Sequence, residues 1–175
     1  SRSASAIRVP ATRHYIAVAC VVGGMYDDVL IPTDGSEAVE AALRHALRVA
    51  ENEDATVHGL YVVDKRITDA AAPETRPDVE ATLTEEGAAA LDALETAAER
   101  RGLQVVTERR HGTPYKEILD YAAAERVDLV AIGSHGKSPR EKLTSLGSVS
   151  DRVVDGATVP VLVVRADDAA SSDSD

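Results

Sequence analysis

Between Asp28 and Val164 the chain alternates short aliphatic runs with longer segments whose apolar residues recur at helical spacing, and this alternation limits the fold more than any other feature. Strands separated by helices pair in parallel through right-handed crossovers, and such a sheet is covered by helices on both faces. The predicted class is therefore α/β with an open parallel sheet. The first run, Asp28 to Pro32, ends in Thr33-Asp34-Gly35-Ser36, which reads as a buried strand leading into a helix start. Ser36 is the expected N-cap, and Glu37 places negative charge in the first turn. Ala38, Val39, Ala42, Leu43, Ala46, Leu47 and Ala50 then mark one helix face, with Glu40, Arg44, Arg48 and Glu51 on the wet side.

Thr56 to Val63 is the second strand, and Lys65 to Pro77 is a polar connection without a period. A second helix runs from about Val79 to Arg101, with Gly102 as its left-handed terminator. Gln104 to Arg109 is the third strand, and Gly112-Thr113-Pro114 supplies a turn, an N-cap and a first helical residue. The third helix ends near Glu125 and the fourth strand spans Val127 to Ile132. A last helix from about Ser148 to Asp155 precedes the fifth run, Val159 to Val164. No internal repeat is present.

A length of 175 residues with 44% hydrophobic residues supports one domain with a sizeable core. All strong periodicity follows Met25, so the domain is expected over 25–165. Met25 is the expected natural start, residues 1–24 an upstream extension, disordered or peripheral, and residues 166–175 an acidic disordered tail. The stretch from Tyr15 to Val22 has a faint signal-peptide look, but its apolar part ahead of Cys20 is too short for a typical h-region of ~7–15 residues. The single Cys20 cannot form an internal disulfide, and no apolar run approaches the ~20 residues of a spanning helix. A cytoplasmic location is the expectation.

The formal charge of −11 argues against nucleic acid or an anionic membrane as partner, since both need a basic surface. Only four of the nineteen basic residues are lysines (Lys65, Lys116, Lys137, Lys142), a pattern that suits a halophilic source. Aromatics make up 3% of the chain, so stacking platforms for single strands are scarce. His14, His45, His58 and His111 show no metal-ligand spacing, and no metal site is expected. Gly136-Lys137-Ser138 imitates the end of a Walker loop, but Ala131 stands where that motif needs its first glycine. The clusters Glu99-Arg100-Arg101 and Glu108-Arg109-Arg110 read as solvated surface.

Two features fall where open α/β sheets bind ligands, outside the carboxyl ends of the strands at a switch point. One is Pro32-Thr33-Asp34-Gly35-Ser36. The other is Gly133-Ser134-His135-Gly136, followed by Gly147-Ser148 at the start of the last helix. Glycines there let backbone approach a phosphate, and the first amides of a helix complement its charge.

With Tyr61-Val62-Val63-Asp64, Gly147-Ser148-Val149 and the closing Val159-Pro160-Val161-Leu162-Val163-Val164, this ordered set resembles the universal stress protein family over about Asp27 to Val164. The resemblance implies a Rossmann-like fold of the adenine nucleotide alpha hydrolase type, with five parallel strands in the order 3-2-1-4-5. It also implies adenine-nucleotide binding, because the ATP-binding branch carries G-x2-G-x9-G-[ST] at this place. Carried over, Pro32, Thr33, Asp34 and Val62 would border adenine and ribose. Gly133, Gly136, Gly147, Ser148 and Val149 would wrap ribose and phosphates, with Ile132 and His135 beside them. Ten residues, Lys137 to Leu146, lie where that motif has nine, and Pro139 stands where glycine is common.

The expected function is an ATP-binding regulatory module of the stress response, with Mg2+ as companion ion and at most slow hydrolysis. The alternative is a nucleotide-free dimeric scaffold of the same fold. No catalytic residues are assigned, and His135 is read as positioning or structural because no acidic orienter or nucleophile accompanies it. The expected partners are a second copy, through the edge strand 159–164, and an unidentified downstream protein.

Overall fold

The computed structural model describes residues 25–134 and 147–165, and of Glu37 and Ala38 the backbone alone. The extension, the tail, His135, Gly136 and the ten-residue segment 137–146 lie outside the described residues. Five strands form one parallel sheet: β1 (Asp28–Thr33), β2 (Thr56–Asp64), β3 (Val105–Gly112), β4 (Leu129–Gly133) and β5 (Val161–Val164), in the order β3-β2-β1-β4-β5. The expected fold class and strand order are those observed. Among the described residues the helices are α1 (Glu37–Glu53), α2 (Lys65–Ala70), α3 (Arg76–Glu99), α4 (Pro114–Ala124) and α5 (Ser148–Gly156).

The central strands are apolar on both sides because each side meets helices. Val29 and Ile31 of β1, with Leu129 and Ala131 of β4, pack against Ala46, Leu47 and Ala50 of α1 and Leu94 of α3. Leu30, Val130 and Ile132 point the other way, to Ile118 and Tyr121 of α4 and Val153 of α5. A strand buried on both faces has no polar side to set its register. Here polar contacts at the amino ends do so: Asp128 Oδ2 accepts the backbone N–H groups of Asp27 and Asp28 at 2.8 and 2.9 Å.

Several expected boundaries move. The connection 65–77 contains α2, a helix of only six residues and too short to show a period. The Asp64 carboxylate caps its start by accepting from Arg66 N at 2.9 Å, and Arg76 Nε donates to the Thr68 carbonyl at 3.1 Å near its end. α3 begins at Arg76, with Pro77 in its first turn, and ends at Glu99, where Gly102 takes the expected left-handed conformation (φ 71°). β3 continues to Gly112, while β4 and β5 each begin two residues later than their periodicity suggested. Ser36 and Thr113 occupy N-cap positions, but neither side chain makes a capping hydrogen bond.

The two edges of the sheet differ. β3 presents Thr107, Glu108, Arg109, Arg110 and His111, all exposed or half-buried, whereas β5 presents Val161, Leu162 and Val163, each half-buried. Arg110 is not simply solvated surface. It pairs with Glu108 at 2.6 Å and its guanidinium lies 4.9 Å from the centre of the Tyr121 ring.

Beneath that ring a buried polar chain ties β1, β2 and α4 together. His58 Nε2 lies 2.8 Å from Asp28 Oδ1, and His58 Nδ1 lies 2.8 Å from the Tyr121 hydroxyl. A carboxylate only accepts, so Nε2 donates; with the ring carrying that one proton, Nδ1 accepts from the phenol. Burial, reinforced by the carboxylates of Glu108, Glu125 and Asp28 against the opposing Arg110, pushes the Tyr121 phenol up to about 12.

A phenol held neutral in the folded state but ionising near 10 in the unfolded chain contributes stability that is complete below pH 10 and is lost as pH rises toward 12. Tyr121→Phe is expected to cost about 1–3 kcal/mol at neutral pH, by leaving His58 Nδ1 buried without its donor. The variant should then lose less stability than the parent between pH 10 and 12. Urea unfolding across this range checks it, and parallel pH profiles would contradict it.

Candidate functional site

At the carboxyl ends of β1, β2 and β4 the crossovers part, because α1 and α3 cover one face and α4 and α5 the other. A cavity of about 350 Å³ opens there. Of the residues expected at a ligand site, Pro32, Thr33, Asp34, Val62, Ile132, Gly133, Gly147 and Val149 all line it. Ser148 does not; it is the first residue of α5 and exposed. His135 and Gly136 lie outside the described residues.

The loop after β1 is shaped by its own side chains. Thr33 Oγ1 accepts from Gly35 N at 3.2 Å and Asp34 Oδ1 accepts from Ser36 N at 2.9 Å, the local turns for which Thr and Asp are suited. Gly35 sits at φ 74°, where a side chain would be strained. Ser36 Oγ is buried with no hydrogen-bond partner in the described structure. Asp34 therefore combines the turn role with a place on the cavity wall.

Across β1, the end of β4 is fastened to the start of α5. Ser134 N donates to the Val164 carbonyl at 2.8 Å, and the Ser134 carbonyl accepts from Gly147 N and from Ser150 Oγ, the latter at 3.0 Å. These bonds hold Gly133 and Gly147 on one side of the cavity. The first turn of α5 begins there, where helix amides lack acceptors within their own helix.

Sequence reasoning missed the remaining walls. Leu60, Tyr61 and Asp64 come from β2, Arg66 and Ile67 from α2, Leu83 and Glu86 from α3, and Pro114 and Ile118 from α4. Arg66 Nη2 lies 2.7 Å from Asp64 Oδ2, and Arg66 Nε 3.0 Å from Asp64 Oδ1, so a guanidinium is held by a carboxylate at the wall. The proline that opens α4 and the β2 ending were visible in the sequence, but their convergence follows from the topology. A second cavity of about 380 Å³ lies between α1 and α3 and shares Thr33, Val39 and Glu86 with the first.

The Tyr61 ring is placed by a close approach. A Cβ on Gly87 of α3 would collide with the Tyr61 ring, so glycine is what lets the helix lie on it. Burial, and after it the charges of Glu86 and Asp34, raises the Tyr61 phenol above its ordinary value. Chemically the cavity has an apolar middle, a glycine-and-helix-start side suited to an anion, and a carboxylate-bearing side.

The universal stress protein family model matches residues 25–165. Universal stress protein MJ0531 of Methanocaldococcus jannaschii is 36% identical over 158 residues, spanning 89% of this chain and 92% of that protein. The solved structure of MJ0577, from the same organism, has a TM-score of 0.74 at 35% identity and covers 81% of this chain and 96% of its own. Two solved structures share the fold at greater distance. A universal stress protein in complex with cAMP has a TM-score of 0.62 at 23% identity, over 81% of this chain and 98% of its own. An Arabidopsis thaliana family protein with AMP bound has a TM-score of 0.57 at 21% identity, over 79% and 90%.

The contact between Gly87 and Tyr61 can be measured. Gly87→Ala is expected to destabilise by about 1–3 kcal/mol through overpacking, although alanine is the better helix former by about 1 kcal/mol. In a Tyr61→Ala background the same change should become neutral or stabilising. A double-mutant cycle in urea tests the coupling, and equal costs in both backgrounds would refute the contact.

Proposed function

We propose that this chain, which belongs to the universal stress protein family, is a regulatory module that holds an adenine nucleotide, ATP with its Mg2+, in the cavity at the carboxyl ends of β1, β2 and β4. The observation that carries the reading is the meeting of Asp34, Val62, Gly133, Gly147 and Val149 around one space of about 350 Å³. Gly133, Gly147 and the start of α5 offer close backbone and helix amides to phosphates. Pro32, Val62, Ile118 and Ile132 offer apolar surface to the flat base. Relatives of this fold with cAMP and AMP support a nucleotide as the ligand class. The motif G-x2-G-x9-G-[ST], of which this chain keeps both anchoring ends, supports ATP in particular.

A micromolar ligand needs about 8 kcal/mol, and each amide donated to a charged phosphate contributes about 1.5–3 kcal/mol. A few such bonds together with the burial of the base suffice. An added residue in the loop between Gly136 and Gly147 costs little if it bulges outward. No lining residue is assigned as nucleophile or base, so the proposal gives the module at most slow hydrolysis. Its output would pass to a downstream protein in the cytoplasm. The acidic, lysine-poor composition suits function in high salt.

Calorimetry in molar KCl with magnesium is expected to give a low to middle micromolar Kd for ATP, and Gly147→Val should abolish binding while the protein stays folded. No heat from ATP, ADP or AMP at about 1 mM would favour the ligand-free scaffold instead.

The same proposal includes a homodimer joined through β5, because an apolar edge strand invites pairing. Val161, Leu162 and Val163 are half-buried on that edge, and Val154 of α5 is exposed. Light scattering at tens of micromolar should return twice the chain mass. A single-chain mass in high salt would defeat the dimer.

A further inference from the structure

Resting on the nucleotide reading above, we infer that Lys116 and Arg152 read the length of the phosphate chain, by taking the outer phosphates of a nucleoside triphosphate at the rim between α4 and α5. Neither residue lines the cavity. Their neighbours do: Pro114 and Ile118 on α4, Val149 and Ser150 on α5. The two helices pack on each other, and both start at the carboxyl end of the sheet, where they follow β3 and β4.

Long side chains on a helix lean toward its amino end. Lys116 is the third residue of α4 and Arg152 the fifth of α5, so both reach back toward the helix starts that border the cavity. They meet on one ring: the Arg152 guanidinium lies 4.9 Å and the Lys116 ammonium 6.0 Å from the centre of Tyr115. An aromatic face attracts a cation without neutralising it. Among the described residues neither cation is in an ion pair, although Asp120, Asp151 and Asp155 stand near them in sequence. Helix stability does not account for Lys116, because the amino end of a helix carries about half a positive charge and favours a carboxylate in the first turn.

The cavity lining does not itself favour a polyanion. It brings the carboxylates of Asp34, Asp64 and Glu86 against the guanidinium of Arg66, which Asp64 holds. A monophosphate seated on Gly133 and Gly147 ends at the glycines. Second and third phosphates continue outward past the start of α5, and there Lys116 and Arg152 supply two positive charges on exposed side chains that can move onto them. Hydrogen bonds from cations to phosphate oxygens are the strong, charge-assisted kind, so the preference they create falls on the phosphates that reach them.

The test uses the full chain and three probes, ATP, ADP and AMP, titrated by calorimetry with magnesium. The unaltered protein is expected to bind ATP about tenfold more tightly than AMP, with ADP between them. Lys116→Gln combined with Arg152→Gln should bring ATP and AMP to within about twofold by weakening ATP alone, and Arg152→Lys, which keeps a charge, should retain most of the preference. A merely structural role for the pair would weaken all three ligands equally or none of them. Either result, or equal binding of ATP and AMP by the unaltered protein, would overturn the inference while the nucleotide reading stands. Failure of the unaltered protein to bind any of the three would overturn both. Melting curves of the variants, whose altered residues are exposed, confirm that each is folded.

Discussion

The carboxylate of Asp128 takes the N–H groups of Asp27 and Asp28, and this contact fixes where β1 begins relative to β4. The apolar sequence of β1 cannot do that, because Val29, Leu30 and Ile31 are all fully buried and a shifted strand would still find apolar neighbours on both faces. The chain from Asp28 through His58 to Tyr121 extends the same control to β2 and α4. The cavity at the far end inherits this register. Thr33 and Asp34 stand beside Tyr61 on one side and Gly133 on the other because the amino ends were aligned by hydrogen bonds.

The loop after β1 is organised by its own residues. Thr33 and Asp34 each accept a backbone N–H two residues on, and Gly35 adopts a conformation that needs no side-chain accommodation. A wall that is already ordered loses little entropy when something binds against it. The start of α5 is similar, since Gly147 and Ser150 are tied to the carbonyl of Ser134.

Much of this was legible in the sequence because the signals are local. Aliphatic runs and the helical spacing from Val39 to Ala50 announce strands and helices, and the glycines at 133 and 147 mark strand and helix ends. The part of the cavity built by strand ends was readable for the same reason. The part built by helices was not. Glu86 and Leu83 sit within a long helix whose first turns are exposed, so nothing in their spacing distinguishes them from solvated surface until Gly87 is seen against Tyr61. Arg66 and Ile67 belong to a helix of six residues, held by Asp64 and Arg76 more than by periodicity. Arg110 looked like one more surface charge because the ring beneath it belongs to a residue of the following helix.

The contrast between the sheet's two edges bears on how far an assembly can grow. β3 displays Glu108, Arg109, Arg110 and His111, and a charged edge is a poor template for another strand. β5 displays Val161, Leu162 and Val163. A sheet that can be extended on one side only cannot polymerise, because two copies related by a twofold axis consume each other's open edge and leave charged borders outside. If the proposed pair forms through β5, its association would thus be self-limiting, and replacing the charges on β3 with valine or threonine would turn such a closed pair into the repeating unit of a fibre.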